Sequence, residues 1–151
     1  MMTEKNFETA SGTIHCWMND FVPSRKTLVF LPGLTADHHL FDRQIEAFEK
    51  EYRLLTWDAP GHAASRPFRL DFSLMDKADL PYEIDCPAIL ICGEKDRAGS
   101  AKSYNRRWAK KEGLQVYWIR DAGHNSNTDK PEEVDQIIRD FVRSIQEESY
   151  E

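Results

Sequence analysis

Four short segments hold the residues of this chain whose types could do chemistry, and each follows an apolar run. They read Leu31-Pro32-Gly33-Leu34-Thr35, Asp58-Ala59-Pro60-Gly61-His62, Gly93-Glu94-Lys95-Asp96 and Ala122-Gly123-His124. Aspartate and histidine together can transfer protons, because a carboxylate bound to one imidazole nitrogen leaves the other nitrogen free to accept a proton. Each segment is common by chance when it is taken alone, so the evidence lies in their order and in the strands that precede them.

Two other groups of residues invite functional interpretations that the sequence does not favour. Four neighbouring residues could be drawn as a metal cluster, namely Asp37, His38, His39 and Asp42. Adjacent histidines at the start of a helix point in different directions, so a solvated helix terminus is the better interpretation. We therefore predict no metal site and no cofactor. A basic run is interpreted as a solvated helical face, and it comprises Arg106, Arg107, Lys110 and Lys111.

Length and composition restrict the class of protein. The chain has 151 residues, of which 40% are apolar and 30% charged, with a net charge of -6. These values predict one folded domain over residues 1–151 and make nucleic acid an unfavourable partner. No run approaches the roughly 18 apolar residues that cross a bilayer, and residues 1–10 lack the apolar core of a signal peptide. We therefore expect a cytoplasmic protein, with its three cysteines reduced and buried.

Apolar periodicity predicts the elements that position these segments. A hairpin is expected where residues 6–10 and 13–18 flank Ser11-Gly12. Strands are expected at 28–31, 54–57, 87–92 and 115–119, and the first and third are continuously apolar, as strands buried on both faces are. Amphipathic spacing predicts helices after three of these strands, with faces marked by Phe41, Ile45 and Phe48, by Ala101, Tyr104 and Trp108, and by Val134, Ile137 and Ile138.

The order of these elements predicts a doubly wound, mostly parallel α/β sheet in three layers, after an N-terminal hairpin. Gly113 is placed to end the second helix in the left-handed conformation, and Pro131 to begin the last one. A further short helix is expected from Ser73 to about Pro81. In such sheets the chemistry lies at the carboxyl ends of the strands, where the four segments begin.

With these segments in this order, the chain resembles the α/β-hydrolase superfamily, and in particular its serine hydrolases and esterases. The resemblance covers roughly residues 13–142. It implies that Asp96 is the acid and His124 the general base of a catalytic triad. It also implies that the Leu34 N–H is an oxyanion-hole donor and that Gly33 and Leu34 contact substrate, although Gly33 could equally be a turn residue. The segment from Asp58 to His62 resembles a turn that braces the site.

The family's nucleophile is missing from this sequence. Neither Gly-x-Ser-x-Gly nor that turn with Cys or Asp in place of Ser occurs. The interval that would hold it is reduced to the junction at residues 76–82. No other serine follows a strand in the required way, including Ser65, Ser100 and Ser126. The resemblance thus implies an ancestral hydrolase of carboxylic esters or similar acyl substrates that is now inactive or very weak. The alternative is a non-catalytic binding module or an engineered minimal scaffold.

Loss of the interval also has a consequence for the sheet. With the missing strand gone, residues 28–31 are expected to pair directly in parallel with residues 88–92. The 29 residues from Asp58 to Cys86, which connect the strand at 54–57 to the strand at 87–92, exceed the dozen that a crossover needs. A sheet that does not close would present unpaired edges, and through such an edge two copies could form a homodimer.

Overall fold

Helices and strands alternate along the chain in the computed structural model, which describes residues 1–33, 35–69 and 86–148. The α/β class expected from the apolar runs is confirmed. The chain divides into two compact units, Met1–Leu80 and Pro81–Glu151. The prediction of one domain over residues 1–151 stays a prediction. The helix expected from Ser73 lies outside the described residues.

Four strands form the sheet of the first unit. They are β1 (Thr3–Thr9), β2 (Gly12–Met18), β3 (Thr27–Phe30) and β4 (Arg53–Trp57). The order is β1-β2-β4-β3, with β3 parallel to β4 and the other neighbours antiparallel. The expectation of a mostly parallel sheet is therefore wrong for this unit, since its sheet is mixed. The hairpin is confirmed, but its turn is at Ala10-Ser11 because Thr9 pairs with Gly12.

Strand β3 departs from the sequence prediction in its position. Its continuous apolar run indicated a strand buried on both faces, yet β4 is its only partner among the strand pairings of the described residues. The side chain of Val29 is 53% exposed. The predicted pairing with residues 88–92 would join the two units, and it stays a prediction. An apolar run specifies a strand without specifying which neighbour covers it.

The helix of the first unit is shorter than its periodicity indicated. A 3₁₀ turn (His38–Phe41) leads into α1 (Asp42–Phe48), and a second 3₁₀ turn (Ala63–Ser65) follows β4. The fully buried Phe48 meets the Tyr52 ring edge-on at a centroid distance of 5.7 Å. The predicted apolar face thus packs as expected although the regular helix ends before Tyr52.

Residues 86–148, the described part of the second unit, form a pair of parallel strands and three helices. Its strands are β5 (Ile89–Gly93) and β6 (Gln115–Ile119). Its helices are α2 (Ala101–Glu112), α3 (Ser126–Asp129) and α4 (Pro131–Glu148). Gly113 has φ +69° at the end of α2, as predicted. A core cluster joins β5, β6 and α4, and it comprises Ile119, Ala122 and Val134 with Ile91, Ile137 and Ile138 packed against it.

Helix α2 turns two of the three residues that marked its predicted face, Tyr104 and Trp108, towards solvent. Tyr104 is 65% exposed and Trp108 41% exposed, and no residue of α2 is buried. The half-buried stripe instead contains Ala101, Asn105 and Ala109. The spacing of the apolar residues predicted the helix correctly, but it did not predict which face of the helix packs. Small residues form the packed face because they allow closer approach than aromatic ones.

The cysteines and the helices can be compared with two further predictions from the sequence. Cys16 and Cys92 are buried and free, but Cys86 is exposed, so the prediction of three buried thiols is wrong for one of them. Among the described residues, no helix is both long and apolar enough to cross a membrane.

Candidate active site

A carboxylate and an imidazole meet at the carboxyl ends of the two strands of the second unit. Asp96 follows β5 and His124 follows β6, and Nδ1 of His124 lies 3.0 Å from Oδ2 of Asp96. The other carboxylate oxygen of Asp96 accepts a 2.7 Å hydrogen bond from the N–H of Ala98. The Asp96 side chain is 4% exposed and that of His124 is 63% exposed. The two residues predicted to form an acid–base pair are therefore brought together, and their catalytic roles stay predictions.

The approach of the two strand-end loops depends on a glycine. A Cβ on Gly93 would overlap the carbonyl oxygens of Gly123 and Ala122. The loops are also joined by backbone hydrogen bonds, from the Lys95 N–H to the Ala122 carbonyl at 2.8 Å and from the Glu94 N–H to the Ile119 carbonyl at 2.9 Å. Gly93 therefore allows the main-chain contact that brings Asp96 within reach of His124.

Burial and hydrogen bonding act in opposite directions on Asp96. Burial by itself would raise the pKa of Asp96, but the hydrogen bonds from His124 and the Ala98 N–H, with the charges of His124 and Lys102, lower it below its ordinary value of 3.8. Asp96 is thus ionised at neutral pH and can only accept hydrogen bonds. Because Nδ1 of His124 must then donate, Nε2 is the nitrogen left to accept a proton from a ligand.

Cys92 adds a weak contact to the same carboxylate. Its Sγ lies 4.0 Å from Oδ2 of Asp96. Burial, and then the negative charge of Asp96, raise the pKa of the thiol. Cys92 therefore remains protonated at neutral pH and lies beside Asp96 as a neutral neighbour rather than as a nucleophile.

A second carboxylate was not recognised in the sequence as part of this site. Oδ2 of Asp129 accepts a 2.7 Å hydrogen bond from the N–H of Gly123, the residue before His124. Asp129 is the last residue of α3, two positions before Pro131. The sequence pointed to Asp129 through its position, which is five residues after His124 and just before the start of the last helix.

The predicted oxyanion segment belongs to the first unit. Leu34 lies outside the described residues, so its expected role as an N–H donor stays a prediction. Gly33 is exposed, and its carbonyl accepts a 3.3 Å hydrogen bond from the N–H of Ala36. This contact agrees with the interpretation of Gly33 as a turn residue and leaves its substrate-binding role untested.

A second aspartate–histidine pair occurs in the first unit and was missed. Nδ1 of His38 lies 2.8 Å from Oδ1 of Asp58, which also accepts the His38 N–H at 2.9 Å. Its other oxygen accepts the Ala64 N–H at 2.9 Å. Burial would raise the pKa of Asp58, but the bonds from His38 and Ala64 lower it below 3.8. The segment after β4 thus braces the start of the 3₁₀ turn at His38. That Asp58 to His62 brace the catalytic site stays a prediction.

Two rings contact the imidazole of His38. The Trp17 ring stacks on it at a centroid distance of 3.5 Å, and the His39 ring lies tilted at 4.0 Å. His39 in turn bonds Asp42 through Nδ1 at 3.0 Å. The argument that the adjacent histidines point in different directions is therefore wrong, because their rings are in contact. Within the described residues, however, no group of three or more His, Cys, Asp or Glu side chains could hold a metal ion.

Comparison with known proteins defines the class of this fold. A predicted CIB-like hydrolase from Thermoplasma acidophilum has a TM-score of 0.70 at 15% identity, covering 95% of this chain and 99% of that chain. Carboxylesterase CesB (YbfK) from Bacillus subtilis has a TM-score of 0.64 at 11% identity, covering 94% and 92%. No family model matches the chain, and no curated protein does. The chain has the α/β-hydrolase fold, as the sequence resemblance predicted.

Proposed function

We propose that this chain keeps the acid–base pair of an acyl hydrolase without its nucleophile, and that it does not form acyl-enzymes. The observation that carries this proposal is the 3.0 Å contact between Nδ1 of His124 and the buried carboxylate of Asp96. The contact orients the imidazole so that Nε2 can accept a proton, which is the role of the base in ester hydrolysis. Without an elbow serine, water is the nucleophile that remains.

Two serines considered as substitutes are held in other contacts or buried. Ser65 is 1% exposed, donates its Oγ–H to the Asp58 carbonyl at 2.8 Å and accepts the His15 N–H at 2.9 Å. Ser126, two residues past His124, is 8% exposed. A nucleophile must reach its base within about 2.6 to 3.2 Å, and no hydrogen bond joins His124 to a serine in the described part of the chain.

Labelling of the purified chain with a fluorophosphonate probe tests this proposal. We expect no covalent adduct by intact-protein mass spectrometry under conditions that label a serine esterase completely. Stoichiometric labelling of Ser65, Ser100 or Ser126 that His124→Ala abolishes would overturn the proposal, because it would identify a rebuilt nucleophile.

The second candidate function is non-catalytic binding of a small acyl or ester ligand. It is favoured by the 63% exposure of the His124 side chain, which leaves the pair open to a small ligand. Benzyl methyl ketone has the shape of phenyl acetate and cannot be hydrolysed, so it separates binding from turnover. Shifts in the amide resonances of residues 122–124 upon titration, with no ester turnover, would favour the binding module.

We also propose that the protein is cytoplasmic. We propose, in addition, that the edge strand β3 joins two copies as a homodimer. Light scattering coupled to size exclusion tests the latter, with Val29→Lys as the variant that would keep the edge from pairing. A monomer at 100 μM, on the order of a hundred times a micromolar Kd, would rule out the homodimer.

A further inference from the structure

We infer that Asp129 is a positioning residue that holds the His124 loop in the register required for its contact with Asp96. This inference rests on the proposed function, because the position of the loop matters chemically only when His124 accepts protons. Asp129 touches neither member of the pair through any hydrogen bond of the described residues. It acts through the main chain, at the N–H of Gly123.

Two short hydrogen bonds hold the loop that ends at His124. One joins the Lys95 N–H to the Ala122 carbonyl at 2.8 Å, and the other joins the Gly123 N–H to Oδ2 of Asp129 at 2.7 Å. The first bond is between main-chain groups and forms with any residue type. The second depends on one side chain, and its acceptor is charged, which makes it the stronger kind of hydrogen bond. The position of Gly123 is therefore set by the identity of residue 129.

Asp129 is itself fixed in place. Its own N–H donates to the Asn125 carbonyl at 2.9 Å within α3, and α4 begins two residues later at Pro131. A Cβ at position 123 would lie 3.3 Å from Oδ2, a tight contact that would require this carboxylate to shift. Residues 123 and 129 thus form a matched pair, a glycine that presents its N–H and a carboxylate that receives it.

The loop needs such a restraint because His124 has little packing of its own. Its side chain is 63% exposed, so burial does not select one ring position. The preceding Asp121 has φ +61°, a left-handed conformation that costs energy for a residue other than glycine. The hydrogen bond from the Gly123 N–H to Asp129 holds the main chain next to His124. Without this bond, that stretch of main chain would lose the side-chain contact that opposes relaxation of the strained loop.

The test uses ¹⁵N NMR of the full chain and three variants. Asp129→Ala removes the acceptor, Asp129→Asn keeps an uncharged acceptor oxygen, and Asp140→Ala is the matched control. Asp140 is likewise exposed and likewise accepts one side-chain hydrogen bond, from Gln136 at 2.8 Å, but it lies on α4. The two readouts are the exchange rate of the Gly123 amide and the ¹⁵N shifts of the His124 ring, which report the tautomer.

In Asp129→Ala we expect the Gly123 amide to exchange about tenfold faster, as for loss of a charge-assisted bond. The His124 ring should shift away from the Nδ1–H tautomer, Asp129→Asn should show about half of each effect, and Asp140→Ala should match the wild type. An unchanged Gly123 amide would overturn the inference. So would a changed amide with an unchanged His124 tautomer, because Asp129 would then have a structural role alone. If Asp129→Ala does not fold, Asp129→Asn is the deciding variant, and we expect smaller changes in both readouts. An unchanged exchange rate of the Gly123 amide, or an unchanged His124 tautomer, would then overturn the inference.

Asp96→Asn keeps failure of this inference distinct from failure of the proposed function. It should remove the preference for the Nδ1–H tautomer in an otherwise intact chain. A response to Asp96→Asn without a response to Asp129→Ala overturns the role of Asp129 and leaves the acid–base pair in place. If neither variant changes the tautomer, the pair itself does not form and both proposals fail.

Discussion

Gly93 faces the carbonyl oxygen of Gly123 so closely that no side chain fits between them. This contact joins the loop after β5 to the loop after β6, and each of these loops carries one member of the Asp96–His124 pair. The proximity of the pair therefore depends on Gly93, whose carbonyl also accepts a 3.1 Å hydrogen bond from the Asp96 N–H.

Gly93→Ala should destabilise the chain. The added methyl group must displace two carbonyl groups of a packed loop, and overpacking of this kind costs about 1–3 kcal/mol. Gly33→Ala is the matched control, because a Cβ there would meet nothing within 4 Å and should change the free energy of unfolding by less than about 0.5 kcal/mol. Urea unfolding followed by circular dichroism measures both values. Equal stability of the two variants would contradict the close approach.

Asp58→Ala should be among the most destabilising substitutions in the first unit. It leaves the His38 ring and two backbone N–H groups without their acceptor at a fully buried position, for which about 3–5 kcal/mol is expected. Asp42→Ala is the control, since its contact with His39 is exposed and worth at most about 1 kcal/mol. Urea unfolding decides between them, and a loss for Asp58→Ala no larger than for Asp42→Ala would show that the pair is not a brace.

Stability should decrease in acid through Asp58 and Asp96. The pKa of each carboxyl is lower in the folded chain than its ordinary value of 3.8. Each group therefore stabilises the fold above that value, and its contribution is lost as the pH falls through the lower pKa of the folded state. Urea midpoints between pH 3 and pH 6 should fall towards the acid end. The decrease should be shallower in Asp58→Asn and Asp96→Asn, and parallel curves for all three chains would show that neither carboxyl has a lowered pKa.

The sequence predicted those features that depend on local chemistry. Gly113 and Pro131 mark helix ends because of their own backbone preferences, and the order of the loop motifs indicated the fold. It did not predict that β3 lies at the edge of its sheet, because an apolar run does not specify its neighbours. It also missed Asp129 and the pairing of His38 with Asp58, since both depend on hydrogen bonds between segments that periodicity does not relate.

The exposed face of α2 gives a further test of the fold. Tyr104→Ser should change the free energy of unfolding by less than about 0.5 kcal/mol, because the side chain is 65% exposed. Phe48→Ala, at a fully buried aromatic residue, should cost about 3–5 kcal/mol. Thermal or urea unfolding measures both. A large loss for Tyr104→Ser would mean that this face is covered in solution, as its aromatic character first indicated.

Hydrolysis of p-nitrophenyl acetate should proceed without a burst and should depend on His124. A burst requires an acyl-enzyme that forms faster than it breaks down. We propose an oriented base without a nucleophile, and among the described residues no hydrogen bond joins His124 to a serine. What remains is general-base attack by water, for which a positioned histidine contributes about 10²–10⁴-fold at most.

Removal of the base by His124→Ala should lower the rate of p-nitrophenyl acetate hydrolysis to that of a buffer that contains free imidazole at the same concentration as the protein. Asp96→Asn should lower it less, because the ring stays while its tautomer is no longer selected. His38→Gln is the control, since its imidazole is 17% exposed and contacts the rings of Trp17 and His39. A burst of one equivalent, or a rate lost in His38→Gln and kept in His124→Ala, would move the chemistry away from the Asp96–His124 pair.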